Sequence, residues 1–125
     1  MGMAAYGTPR YRDAIYRDFV DAPYFLKKNL HRGIGNWHPD ADIMDIAASI
    51  QVVITECLAS LWTQASKLGS KNLVYGGGVA LNCAANSQLA NLGLFDNVWI
   101  MPNPGDAGSS LGCICLLYTS DAADE

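Results

Sequence analysis

The stretch YGGGVALN, residues 75–82, decides how the rest of the chain is interpreted. A short apolar run, residues 73–75, leads into three consecutive glycines, and a helix-permissive stretch, residues 83–92, follows. A strand, a glycine turn and a helix in this order bring bare backbone close to a ligand, because glycine tolerates positive φ and carries no side chain. The stretch therefore indicates a ligand loop, although the same turn also occurs in α/β domains for packing alone.

A second glycine loop, PGDAG at residues 104–108, follows another apolar run at residues 98–101. The order helix, strand, helix, strand is typical of an α/β layer with parallel pairing. We therefore expect the strands at residues 71–75 and 98–101 to be parallel neighbours, and the strand at residues 71–75 to be buried on both faces. Ligands of open α/β sheets lie beyond the carboxyl ends of the strands, so we expect both loops to line one site.

The strongest helical pattern covers residues 41–68, where apolar residues recur at steps of three and four. Asp40 or Asp42 is suited to cap its start, and Gly69 is placed to end it. The predicted core face consists of Ile43, Ile46, Ala47, Ile50, Ile54, Cys57, Leu58, Leu61 and Ala65. The predicted polar face consists of Asp45, Ser49, Gln51, Glu56, Ser60 and Thr63. Shorter predicted elements are a helix at residues 13–19 and a strand or helical turn at residues 24–30.

Composition limits the class of protein. The chain has 125 residues, half of them hydrophobic, which fits one domain or part of one. A net charge of −4 argues against nucleic acid as a partner. No apolar run reaches the roughly 18–20 residues of a membrane span, and no secretory signal is visible, so we expect a cytoplasmic protein without a membrane partner. None of the four cysteines forms a C-x-x-C pair, which favours buried free thiols over disulfides.

The candidate residues for chemistry each have two interpretations. From spacing alone, Asp106 is either a helix cap or a metal ligand beside phosphates. Asn82 binds a nucleotide or caps the following helix, and Cys83 is a thiolate at a helix start or a small buried residue. His31 and His38 are seven residues apart in a predicted loop at residues 31–40, and exposed positions are expected for both. The residues assign no catalytic group.

At these motifs the chain resembles the carbamoyltransferase family, the O-carbamoyltransferases of nodulation-factor and antibiotic biosynthesis. The resemblance lies in residues 72–86, 94–100 and 104–112. Residues 1–7, MGMAAYG, are similar to the family's Met-Gly-Leu-Ala-Ala-Tyr-Gly motif, and residues 45–51, DIAASIQ, look like its helix start. Residues 1–112 follow the family order, so this region is expected to be an internal fragment of the kinase-like domain.

The resemblance implies an α/β fold of the actin and sugar-kinase type, with two ribonuclease-H-like halves around a nucleotide cleft. In this family a separate C-terminal domain makes carbamoyl-adenylate from carbamoyl phosphate and ATP. The kinase-like domain then transfers the carbamoyl group to a hydroxyl of a small molecule. By that likeness the residues lining the adenylate pocket would be Gly77, Gly78, Val79, Asn82 and Gly105. Asp106 matches the family's ligand for a divalent metal of the iron or zinc type, so the resemblance favours its metal role.

The chain also departs from the family pattern. The paired metal histidines of the family lie upstream of this region, and His31 and His38 do not replace them. The adenylate-forming domain is likewise outside it, so the fragment is expected to be inactive alone. Gly76 stands where the family usually has Ala or Ser. Residues 113–125 are predicted to be a non-native tail, because residues 115–125 resemble the translation of a sequencing adapter.

Two other functions remain open from sequence. One is a nucleotide-binding or interaction module of the same superfold without transferase activity. The other is a relative of the tRNA threonylcarbamoyl-modification enzymes, which act on nucleic acid. The acidic charge and the Ala-Leu-Asn that follows Gly-Gly-Val favour the small-molecule transferase.

Overall fold

A computed structural model describes residues 1–21 and 25–114 of the chain. In chain order, the elements are a 3-10 helix Gly2–Tyr6, α1 Arg12–Phe19, β1 Val20–Asp21, β2 Phe25–Leu26, α2 Ile43–Ser66, β3 Asn72–Tyr75, a 3-10 helix Gly78–Leu81, α3 Cys83–Ala90, β4 Asn97–Ile100 and a 3-10 helix Asp106–Gly108. Residues 109–114 continue as a helix. The chain is therefore α/β, as its sequence predicts. Of the predicted tail at residues 113–125, residues 115–125 lie outside the described residues.

The two predicted strands are parallel neighbours. β3 and β4 pair with Leu73 opposite Val98 and Tyr75 opposite Ile100, which confirms the pairing expected from sequence. β1 and β2 form a separate antiparallel pair, so β2 takes the strand alternative of the predicted segment at residues 24–30. The parallel register places the carboxyl ends of β3 and β4 side by side, and the two glycine loops leave the sheet there.

The sequence predicts that β3 is buried on both faces, and this prediction is wrong. Val74 is 73% exposed, whereas its neighbours Leu73 and Tyr75 are half-buried. The alternation arises because only one face is covered: Trp62 of α2 packs edge-on against the Tyr75 ring, with centroids 5.4 Å apart. Within the described residues this sheet has two strands, and Trp99 of β4 is also exposed.

The ends of α2 follow the predicted capping signals. The Asp42 carboxylate accepts a hydrogen bond of 2.8 Å from the Met44 amide, so Asp42 is the cap rather than Asp40. Past the last turn, Gly69 has φ +82°, the left-handed conformation that favours glycine. By length and apolar composition, α2 could cross a membrane, but a core helix of a soluble domain meets the same criterion, so this is weak support for a membrane role.

The predicted core face of α2 is wrong. Ile43 is 63% exposed and Leu61 is exposed, whereas Ser49, placed on the polar face, is fully buried. The reason is that neighbours pack on two other sides of the helix: α1 and the N-terminal segment on one, α3 and the first glycine loop on the other. The buried residues of α2 are Ala48, Ser49, Val53, Thr55 and Trp62.

The main apolar cluster joins α1, β1 and α2. Its buried members are Ile15, Phe19, Val20 and Val53. The Trp37 ring packs edge-on against Phe19, with centroids 5.2 Å apart, and so covers the cluster from the loop at residues 31–40. The short helix predicted at residues 13–19 is thus present as α1 and supplies half of this core.

The cysteines correct a third prediction, that of buried thiols. Cys57, Cys83 and Cys113 are free, but only Cys57 is half-buried, and burial raises the pKa of its thiol. Cys83 is exposed because α3 buries Ala85 and Leu89, one turn apart on a single face, and Cys83 lies on the other side. His31 and His38 are both exposed, as expected.

Candidate functional site

The two glycine loops touch one another. The Gly77 N–H donates a hydrogen bond of 2.8 Å to the Pro104 carbonyl oxygen. A Cβ placed on Gly105 would lie 3.9 Å from the Gly78 Cα and 4.0 Å from Leu81 Cδ1. The loops therefore form one continuous surface at the carboxyl edge of β3 and β4, where a ligand of an open α/β sheet binds.

The first loop presents bare backbone to its surroundings. Gly77 has φ +93°, and no atom lies within 4 Å of a Cβ built on Gly76, Gly77 or Gly78. The loop turns into the 3-10 helix through bonds from the Ala80 N–H to the Gly77 carbonyl and from the Asn82 N–H to the Val79 carbonyl, both 2.9 Å. The N–H groups of Gly78 and Val79 have no acceptor among the described residues, so both are free to bind an anion.

Asn82 caps α3. Its side-chain oxygen accepts a hydrogen bond of 3.1 Å from the Ala85 N–H, which is the capping role that the sequence left as an alternative. The same side chain forms a reciprocal pair with the Gln51 amide, with one bond of 3.2 Å in each direction. One hydrogen of the Asn82 side-chain nitrogen is left over for another acceptor.

Gln51 was not predicted as a site residue. It was placed on the solvent face of the long helix, and it lies 31 positions before Asn82, so no local spacing reveals the pair. A second amide supports the same turn: the Asn86 side-chain nitrogen donates a bond of 2.7 Å to the Ala80 carbonyl oxygen. Gln51 and Asn86 thus bond to Asn82 and Ala80 at the end of the glycine loop. Neither side chain bonds to the free N–H groups of the loop.

Two buried polar atoms, in residues on either side of the loop in sequence, have no hydrogen-bond partner among the described residues. They are the Tyr75 hydroxyl, at the end of β3, and the Asn86 side-chain oxygen, on α3. Burial raises the pKa of Tyr75, so the hydroxyl stays protonated at neutral pH. Such atoms are uncommon in folded proteins.

Asp106 lies at the first position of its 3-10 helix, and its side chain is exposed. Among the described residues its carboxylate makes no hydrogen bond or ion pair, so the helix-cap alternative is wrong. The backbone of the loop around it is closely packed, because a Cβ on Gly108 would overlap the Asn103 carbonyl oxygen. No group of three or more His, Cys, Asp or Glu side chains in residues 1–21 and 25–114 is arranged to hold a metal ion. Asp106 therefore offers one free carboxylate ligand.

The N-terminal motif, MGMAAYG at residues 1–7, packs on the start of α2. A Cβ on Gly7 would overlap the Met44 carbonyl oxygen, so the backbone of the motif lies directly on the helix. Asp45 accepts a bond of 2.7 Å from the Thr8 N–H, and the buried Ser49 hydroxyl accepts one of 2.9 Å from the Tyr11 N–H. The motif and the glycine loop are thus positioned by two sides of one helix.

A charged cluster holds α1 to α2. The Nε of Arg12 lies 3.0 Å from both carboxylate oxygens of Glu56, and the Tyr16 hydroxyl donates a bond of 2.9 Å to one of them. Burial, and then the bond to Glu56, raise the pKa of Tyr16 above its ordinary value. Sequence placed Glu56 on a solvated face, and its partners lie 40 and 44 positions away.

The chain belongs to the carbamoyltransferases: the family model described as the carbamoyltransferase N-terminus matches residues 2–115, which confirms the resemblance found in the motifs. The match extends slightly beyond residue 112, the end expected from sequence. The prediction that residues 113–125 are non-native remains untested.

The chain is also similar in sequence to individual proteins. An uncharacterized protein of Synechocystis sp. is 36% identical over 143 aligned residues, which cover 94% of this chain and 23% of that protein. Nodulation protein U of Bradyrhizobium diazoefficiens is 40% identical over 76 residues, covering 57% of this chain and 13% of that protein. Nodulation protein NolO of the same organism is 31% identical over 132 residues, covering 94% and 24%.

The chain spans about a quarter or less of the length of these relatives. No solved structure matches it.

Proposed function

We propose that the intact protein is an O-carbamoyltransferase that moves a carbamoyl group from carbamoyl-adenylate to a hydroxyl of a small molecule. Residues 1–112 would be part of its actin- and sugar-kinase-like domain. The observation that carries the proposal is the hydrogen bond from Gly77 to Pro104, because it joins in one surface the two loops that resemble the family's ligand loops. Membership of the carbamoyltransferase family supports the reaction class.

The chain's own residues have the chemistry to hold an adenylate. The free N–H groups of Gly78 and Val79 would donate hydrogen bonds to its phosphate, and the open space at Gly77 and Gly78 lets the phosphate approach the backbone. Asn82 has one side-chain hydrogen left to donate, and Gly105 would line the opposite wall. Backbone donors fixed before the reaction cost no reorganisation when charge develops on the leaving group.

Asp106 would be one ligand of a divalent metal of the iron or zinc type. Its exposed carboxylate has no partner among the described residues, so it is available to coordinate. A bound metal would supply positive charge beside the phosphate of the adenylate. The remaining ligands would come from other parts of the intact protein.

The further partners follow from the same proposal. Carbamoyl phosphate and ATP would enter through a C-terminal adenylate-forming domain, and the acceptor would be a small hydroxyl compound. The net charge of −4 argues against binding to nucleic acid or to an anionic membrane surface. We propose that the enzyme is cytoplasmic.

The test uses the intact protein that carries this segment. It is incubated with carbamoyl phosphate labelled at the carbamoyl carbon, with and without ATP, and with a mixture of small hydroxyl compounds. ATP-dependent transfer of label to an acceptor is the expected result. In parallel, hydrogen exchange of residues 76–83 is followed with AMP as the probe. Absence of both label transfer and AMP-dependent protection would overturn the proposal.

A further inference from the structure

We infer that Gln51 is a positioning residue for the glycine loop: its side-chain amide holds Asn82 and thereby fixes the turn that carries the free N–H groups of Gly78 and Val79. The geometric part of this inference stands on hydrogen bonds within the chain. Its consequence for ligand binding rests on the proposed function.

The pair lies in a chain of hydrogen bonds that fixes both amides. The Asn82 side-chain oxygen accepts from the Ala85 N–H, so its nitrogen must face the Gln51 oxygen. The Gln51 nitrogen donates to Asn82 at 3.2 Å and to the Thr55 hydroxyl at 3.3 Å. Thr55 is buried, and its hydroxyl donates a hydrogen bond of 2.8 Å to the backbone carbonyl oxygen of Gln51. Each amide therefore has one orientation that satisfies its partners.

The loop needs such a support because it has little of its own. Residues 76–78 are glycines, so no side chain packs them against the body of the protein. The loop is held at one side by the bond from Gly77 to Pro104 and at the other by Asn82, whose N–H closes the 3-10 turn on Val79. A displacement of Asn82 would thus move the N–H groups that face a ligand.

Two substitutions at Gln51 separate positioning from bulk packing. Gln51→Leu keeps a similar volume and removes both bonds to Asn82. Gln51→Glu keeps the shape but sets a carboxylate against the Asn82 oxygen, and protonation of the glutamate restores a donor. Gln64→Leu is the matched control, since Gln64 is an exposed residue of the same helix with no side-chain bond to the described residues.

The experiment measures hydrogen exchange of residues 76–83 in the intact protein, with and without AMP. Without AMP, we expect Gln51→Leu to speed exchange roughly five- to thirtyfold, the factor that corresponds to the loss of two ordinary hydrogen bonds. AMP affinity should fall by a similar factor, and Gln64→Leu should change neither. Unchanged exchange in Gln51→Leu would overturn the inference.

The Gln51→Glu variant gives a pH profile that a packing defect would not show. Its loop exchange, corrected for the intrinsic pH dependence, should be fast at pH 7 and return toward that of the parent as the glutamate is protonated below about pH 4.3. If Gln51→Leu fails to fold, this profile alone decides, and a profile without recovery overturns the inference. Faster exchange in the variants together with no AMP effect in the parent would support positioning and overturn nucleotide binding, so the two proposals fail separately.

Discussion

The backbone N–H of Gly77 lies 2.8 Å from the carbonyl oxygen of Pro104, and this hydrogen bond joins two loops separated by more than 20 residues of sequence. Parallel pairing of β3 and β4 makes the contact possible, because it brings both loops to the same sheet edge. The surface that results has backbone donors on one side and the free carboxylate of Asp106 in the second loop. Four changes test how this surface and its supports work.

Gly78→Val should abolish adenylate binding while leaving the fold intact. Gly78 does not have a positive φ, and outside its chain neighbours no atom lies within 4 Å of its Cβ position, so a Cβ fits there without strain. Its branched side chain would fill the space that the phosphate needs. AMP titration by calorimetry, together with the melting temperature, checks both statements. The control is Gly2→Val, at another open glycine; equal AMP affinity in parent and Gly78→Val would contradict the prediction.

Asp106→Asn should lower the metal content of the intact protein and leave its stability unchanged within about 0.5 kcal/mol. The reason is that an anionic ligand becomes neutral, while the exposed side chain has no partner among the described residues to lose. Elemental analysis and chemical denaturation measure the two effects. Full metal occupancy in the variant would rule out the metal role of Asp106.

Ser49→Ala should destabilise the chain by about 1–3 kcal/mol, because it leaves the Tyr11 N–H without its acceptor. Ser49 is fully buried, so water cannot replace the hydroxyl. Urea denaturation followed by circular dichroism gives the free energy of unfolding. Ser60→Ala on the same helix is the control and should be nearly neutral; equal effects of the two substitutions would show that the buried hydrogen bond contributes nothing.

Tyr16→Phe should cost about 1 kcal/mol at neutral pH, through loss of the hydrogen bond to Glu56. The folded state raises the pKa of Tyr16, so the stabilisation is complete below the ordinary value near pH 10 and is lost as the pH rises above it. The variant should therefore lose less stability than the parent between pH 9 and 11. Denaturation at a series of pH values tests this, with the exposed Tyr6→Phe as control. Identical alkaline slopes in parent and Tyr16→Phe would refute it.

The elements that sequence predicted well are those set by local patterns. The strands that flank the glycine loops, the Asp42 cap and the left-handed Gly69 each depend on a few adjacent residues, and the structure confirms them. The meeting of the two loops also follows from local order, once the strands are parallel. These features can be predicted without knowing which elements pack against α2.

The burial of α2 could not be predicted in the same way. Ser49 is buried because the backbone at Tyr11 reaches its hydroxyl, 38 positions away in sequence, and Gln51 is occupied because Asn82 faces it. A periodic apolar pattern identifies a helix face but not the neighbours that cover it, and here Ile43 and Leu61 on that face are exposed. For the same reason the sequence predicts that the strand at residues 71–75 is buried on both faces, whereas Val74 is exposed.

Two pairs of glycines in this chain differ sharply in what a Cβ placed on each would meet. At Gly7 and Gly108 the new atom would overlap a backbone carbonyl oxygen, whereas at Gly76 and Gly78 it would meet nothing. A saturation library selected only for folding should therefore reject every replacement at the first pair and accept many at the second. If a selection in which growth depends on product made by the enzyme then removes the variants at Gly78 but keeps Ala and Ser at Gly76, variation at Gly78 records ligand access rather than foldability.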